Sequence, residues 1–288
     1  MTGEKPMPPE AENGLPPEAG SGLPPEAGSG RPLVKAMRVA KAFGGKPVLA
    51  DVSCSLHPGT VTLFSAPSGS GKSTLLEILA GVQAPDRGAV ERSCPASLMF
   101  QDNALVPNLD AEGNLAYILP PSMPKAERAE KIASWLKLFE LEHRVYPRSM
   151  SSGMKRRLNL ARALIAGRAV TLLDEPFAFL DERWHGVVAG LILAKASAGG
   201  AVALAGHEPA PALVKACGGL LRVLELGAPP VILKDAGGKA QEDAGENAPE
   251  GSTGKHSEDD GGKHPADDGG KGPENNGGGR NPQGTCDL

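Results

Sequence analysis

The sequence predicts an α/β fold, and three observations carry that expectation. Short apolar runs such as Val61-Thr-Leu-Phe64 and Val170-Thr-Leu-Leu173 alternate with segments of helical period. A Ser/Gly-rich turn joins the first of these runs to the first helix. Two flanking tails hold too few apolar side chains to join either kind of element.

The two tails bound the foldable part of the 288 residues. Residues 1–32 hold 6 of the 38 Gly and 8 of the 27 Pro. Residues 235–288 hold 14 Gly and contain no Val, Ile, Phe, Met, Trp or Tyr. Both repeat with a period of eight: Leu15-Pro-Pro-Glu-Ala-Gly-Ser-Gly22 recurs at Leu23–Gly30, and Gly254-Lys-His-Ser-Glu-Asp-Asp-Gly261 recurs in altered form at Gly262–Gly269. Units this short and this polar have no apolar face to stack, so disordered tails are expected at 1–32 and 235–288 around one domain at 33–234. Net charge divides likewise: the tails carry −3 and −7, and the core +6, for −4 overall. A mildly basic core suits a polyphosphate ligand, but without a basic run no nucleic-acid partner is expected.

No stretch approaches 18 apolar residues, and the N-terminus lacks the apolar core of a signal peptide. Cys54, Cys94, Cys217 and Cys286 form no CxxC pair, which fits reduced thiols and argues against zinc. A cytoplasmic protein is expected.

Within the core, Val61–Phe64 reads as a strand and Ser73–Ala80 as the helix after it. Ala96–Phe100 reads as a second strand. Over Lys125–Leu141 the residues Ala129, Ile132, Leu136 and Phe139 form one helical stripe. A further helix passes through Leu158, Ala161 and Leu164, and buried parallel strands follow at Val170–Leu173 and Ala201–Ala205. A mostly helical insert, about residues 102–165, interrupts the alternation.

Ala66-Pro67-Ser68-Gly69-Ser70-Gly71-Lys72-Ser73, with Thr74 following, lies between the first strand and its helix. It fits the P-loop pattern G-x-x-x-x-G-K-[ST] except that Ala66 stands for the first Gly. Successive backbone N–H groups at a helix N-terminus form a nest for phosphates. Lys72 is placed to reach the β- and γ-phosphates and the Ser73 hydroxyl to bind Mg²⁺. Ala66 is expected to tighten this loop or to resist a positive φ. At the end of a buried strand, Asp174 is positioned for the metal and Glu175 for the attacking water.

With these residues and their order, the core resembles the ATP-binding cassette ATPases, the nucleotide-binding subunits of transporters. Phe43 before Gly44-Gly45 is similar to the aromatic that stacks on adenine. Phe100-Gln101 resembles the Q-loop, whose Gln lies near Mg²⁺ and contacts the membrane partner. Met150-Ser151-Ser152-Gly153-Met154 resembles the LSGGQ signature, Phe179-Leu-Asp181 the D-loop, and His207 the switch histidine. The resemblance implies a P-loop core with an inserted helical subdomain, and ATP and Mg²⁺ as ligands. Ser73, Gln101 and Asp174 would hold the metal, with Glu175, His207 and Gln101 acting in hydrolysis. Ser151, Gly153 and Asp181 would reach nucleotide across a dimer of two such subunits. It also implies permease subunits, a solute-binding protein, and a place on the inner face of the membrane. Ser152 adds a side chain where the family has Gly, which is expected to loosen that closed dimer. Gly153-Met-Lys-Arg-Arg157, Glu175-Pro-Phe-x-x-Leu-Asp181 and Gly227-Ala-Pro-Pro230 resemble importers of the nitrate/sulfonate/taurine type. The alternatives are a weakly active nucleotide-binding module and a non-transport cassette ATPase with a regulatory role.

Overall fold

The computed structural model describes residues 30–227 and 233–235. Nearly all of both expected tails, and Ala228-Pro-Pro230 of the last quoted motif, lie outside these residues. An antiparallel sheet of order β2-β1-β4 is built from β1 (Val34–Phe43), β2 (Lys46–Leu56) and, later in the chain, β4 (Arg87–Arg92). A second sheet has the order β5-β6-β7-β3-β8-β9. Its strands are β3 (Val61–Ser65), β5 (Ala96–Met99), β6 (Val170–Asp174), β7 (Ala201–Gly206), β8 (Leu221–Leu226) and β9 (Leu233–Asp235). The first five strands in that order run parallel, and β9 pairs antiparallel at the edge.

Both faces of the parallel sheet are covered, which is why its strands are apolar nearly throughout. Side chains alternate between two cores. Val61, Leu63, Leu173, Val202 and Leu204 enter a cluster with the helices α2 (Ala111–Ala116), α3 (Lys125–Leu138), α4 (Ser152–Ile165), α5 (Glu182–Ser197) and α6 (Pro211–Cys217). Phe64, Leu172, Ala201, Ala203 and Ala205 enter the other, against Leu75, Leu76, Ile78 and Leu79 of α1 (Lys72–Ala80) and the inner face of the antiparallel sheet. The sheet is thus sandwiched, and α1 leaves β3 between the antiparallel sheet and the parallel one.

The expected parallel strands and helices fall where the periodicity places them. The helical insert contains α2, α3 and α4. One position differs: Ala129 is exposed, while Ile132, Leu136 and Phe139 are buried as the stripe requires. Residues 125–131 of α3 are all exposed or half-buried, and a methyl group contributes too little apolar area to draw this half of the helix inward. Among the described residues no helix is long and apolar enough to cross a membrane.

Candidate functional site

The chain turns from β3 into α1 through Ala66–Gly71, and two glycines make that turn. Gly71 is the N-cap, with φ 88°, and a Cβ there would lie 2.7 Å from Val48 Cγ1. Gly69 has φ 77° with open space around it. No side chain caps α1 and no acidic residue sits in its first turn, so the helix N-terminus is left for an anion. Ala66 corrects the sequence expectation. It is not among the residues with positive φ, and its methyl is buried in the core beneath the loop. The missing Gly therefore costs the loop no backbone strain.

Lys72 is buried, and its ammonium donates to the carbonyls of Ala66 at 2.8 Å and Pro67 at 2.9 Å. Burial pulls its pKa below the usual lysine value, opposed by the nearby carboxylates of Glu175 and then Asp174. Ser70 is buried too, and its hydroxyl has no hydrogen-bond partner among the described residues.

A cavity of about 320 Å³ opens over this loop, lined by Phe43, Val48, Ser68, Gly69, Gly71, Lys72, Ser73, Thr74, Gln101 and Glu175. A neighbouring one of about 380 Å³ shares Ser73 and Gln101 and adds Asp174 and Glu77. Asp174 ends β6 fully inside the protein. Burial raises its carboxyl above the usual range, and a hydrogen bond from Ser73 opposes this. A buried carboxylate beside a hydroxyl and an amide-bearing side chain is an oxygen donor set that fits Mg²⁺. Glu175 follows in the left-handed region, φ 48°, its N–H donating to Ala205 O at 3.0 Å. His207 borders the P-loop: its Nε2 lies 3.0 Å from Ser68 Oγ. Phe43 is 47 % exposed, a free ring at the cavity edge, with Lys41 Nζ 5.6 Å from its centroid.

The structure thus gathers Phe43, Ser68, Gly69, Gly71, Lys72, Ser73, Thr74, Gln101 and Glu175 around one cavity, with Asp174 and His207 adjoining. Ser151, Gly153 and Asp181 line neither cavity. Ser151 caps α4 by accepting the Met154 N–H at 3.2 Å, and Asp181 caps α5 by accepting the Trp184 N–H at 2.9 Å. Ser152 is the exposed first residue of α4. One residue of this region escaped the sequence reading. Arg156 is 1 % exposed and touches the backbone of both the Q-loop and the end of β6. Its signal was a cation on the inward face of an amphipathic helix, obscured by Lys155 and Arg157 on either side.

Residues 49–178 match the family model described as ABC transporter. The sequence is 38 % identical over 164 residues to the taurine import ATP-binding protein TauB of Pseudomonas putida, covering 52 % of this chain and 62 % of that one. Over that stretch the sequence is similar to the ATP-binding subunits of ABC transporters. It is 37 % identical over 158 residues to the sulfate/thiosulfate import ATP-binding protein CysA 2 of Chromobacterium violaceum, covering 50 % and 43 % of the two chains. It is 36 % identical over 197 residues to the Fe(3+) ions import ATP-binding protein FbpC of Pseudomonas fluorescens, covering 61 % and 54 %. The chain spans about half the length of the curated relatives it matches. The domain superposes with TM-score 0.58 and 25 % identity on a dimeric, post-hydrolysis structure of the ATP-binding cassette MJ0796 bound to ADP and Pi, covering 67 % of this chain and 93 % of that one.

Proposed function

We propose that this chain is an ATP-hydrolysing subunit that energises a membrane importer. The observation that carries the reading is the convergence of P-loop, Lys72, Ser73, Gln101 and Glu175 on one cavity, with buried Asp174 beside it. Each group then has a task set by its chemistry. The uncapped N-terminus of α1 and the Lys72 ammonium bind the β- and γ-phosphates, and Phe43 offers its open face to the base. Ser73, Gln101 and Asp174 hold Mg²⁺, which supplies neutralisation of phosphate charge. Glu175 orients the attacking water and accepts its proton, while His207 donates toward the γ-phosphate.

The two caps, Ser151 and Asp181, sit away from this cavity, at the starts of α4 and α5. That placement supports a role toward nucleotide held by a second subunit, in a dimer that works with permease subunits and a solute-binding protein at the inner face of the membrane. The relatives named for taurine, sulfate and Fe(3+) match at 36–38 % identity, so similarity favours none of the three solutes. The nitrate/sulfonate/taurine assignment rests on the motif wording alone. The test is steady-state phosphate release by the full chain with Mg-ATP. Saturable turnover supports the reading, and nucleotide binding without turnover replaces it with the weakly active alternative.

A further inference from the structure

Helix α4 faces the Q-loop with polar side chains on successive turns. Asn159 Nδ2 donates to Phe100 O at 3.1 Å, Arg156 to Gln101 O at 2.9 Å, and Arg162 to Ala104 O at 2.6 Å. The spacing i, i+3, i+6 puts the three on one helical face, so that they pin the segment after β5 like rungs. Arg156 differs from the other two. Its second guanidinium nitrogen also donates to Asp174 O at 2.8 Å and to Glu175 O, so a single planar group joins the Q-loop to the end of β6.

We propose that Arg156 is a positioning residue that holds the Glu175 carboxylate and the Gln101 side chain in the register hydrolysis requires. The assignment rests on the ATPase reading above. A wholly buried guanidinium is costly to desolvate, and a well-packed apolar residue would often stabilise the fold as much or more. Its Nε has no partner among the described residues, so its hydrogen bonds all come from the two terminal nitrogens and all end on functional backbone. Glu175 needs such a hold. Its backbone sits at φ 48°, a region non-glycine residues leave unless the surroundings fix both sides of the residue. Ala205 O fixes the N–H side, and on the carbonyl side Arg156 reinforces a turn in which the Ala178 N–H donates to Glu175 O at 3.0 Å. Without the guanidinium only the Ala178 N–H holds that carbonyl, so the peptide after Glu175 can tilt and carry the carboxylate away from the attack position. Misplacement on the order of 1 Å is enough to cost about 100-fold in rate. Lysine keeps the charge but lacks the planar fork that spans three carbonyls.

The experiment measures phosphate release against ATP concentration for the full chain, Arg156→Lys, Arg156→Met and Arg162→Lys, with melting temperature and fluorescent-nucleotide affinity for each. Arg162→Lys loosens a rung that touches no catalytic backbone. The expected result is a kcat at least tenfold lower in Arg156→Lys, with KM and nucleotide affinity within twofold of the parent, and Arg162→Lys within threefold of the parental kcat. Arg156→Met should fall below Arg156→Lys; if it unfolds, the lysine variant with parental melting temperature decides. A kcat within twofold of parent in Arg156→Lys overturns the assignment, as does an equal loss in Arg162→Lys or a parallel rise in KM. An active parent with an unaffected Arg156→Lys sinks this assignment alone, whereas a parent without turnover sinks the ATPase reading and the assignment with it.

Discussion

Lys72 and Gly71 are the two P-loop residues whose chemistry leaves least freedom. The Lys72 ammonium is held inward by two loop carbonyls and depressed in pKa by burial, so a phosphate oxygen entering the cavity meets a partly dehydrated cation. Replacing it by Ala should weaken Mg-ATP binding by about 1.5–3 kcal/mol, roughly ten- to a hundredfold in Kd. A fluorescent-nucleotide titration checks this, and equal affinity in mutant and parent contradicts the P-loop assignment. Gly71→Ala should damage the loop itself, because the new methyl meets Val48 at 2.7 Å and the residue must keep φ 88°. The left-handed backbone alone costs about 1–2 kcal/mol, so thermal melting should show a drop of several degrees. Ala66 teaches the opposite lesson. From the pattern it looked like a compromised glycine, but its backbone is not left-handed and its side chain is core. Only backbone geometry distinguishes the two cases.

Elements with uniform periodicity were legible, and those with broken patterns were not. Strands β3, β6 and β7 are buried on both faces, and their apolar runs show in the sequence. The antiparallel sheet did not show. Arg38 and Asp51 both adopt positive φ in β1 and β2, the register shifts along the pair, and β4 is largely exposed, so no period of two survives. Helix α5 carries Gly186 and Gly190 in its interior, which weakens its propensity. Its start depends on Asp181, and Asp181→Ala should cost about 0.5–2 kcal/mol of stability in a denaturant titration through loss of the cap. Strand β2 supplies a pH prediction. Burial pushes the Cys54 thiol up to about 12, above its unfolded value. The folded state then keeps a proton that the unfolded state loses, so this contribution is fully present below about pH 8.5 and is lost as pH rises toward 12. Stability should fall by at most about 1.4 kcal/mol per pH unit in that window, and Cys54→Ala should flatten the slope. An unchanged slope in that variant would remove Cys54 as the cause.

For the whole molecule, composition set the expected bounds of core and tails, and the order of motifs set the expected site. What the sequence left hidden was three-dimensional: Arg156 reads as one of three consecutive basic residues, and only the packing of α4 against β6 turns it inward. Deleting residues 1–31 and 236–288 should leave melting temperature and ATP binding unchanged, because those segments supply almost no apolar side chains. A large fall in melting temperature would contradict this. Removing Mg²⁺ with a chelator should stop turnover yet leave melting unchanged, since among the described residues no group of three or more His, Cys, Asp or Glu side chains forms a structural metal site. The proposed hydrolysis requires Glu175 to act on water above a bound γ-phosphate. The direct measurement is ATP hydrolysis and ATP retention by Glu175→Gln beside the parent. The amide keeps the shape and removes the base, so the variant should bind Mg-ATP as tightly as the parent, release no phosphate, and run as an ATP-dependent dimer in sizing experiments. Hydrolysis by the variant at the parental rate would contradict it.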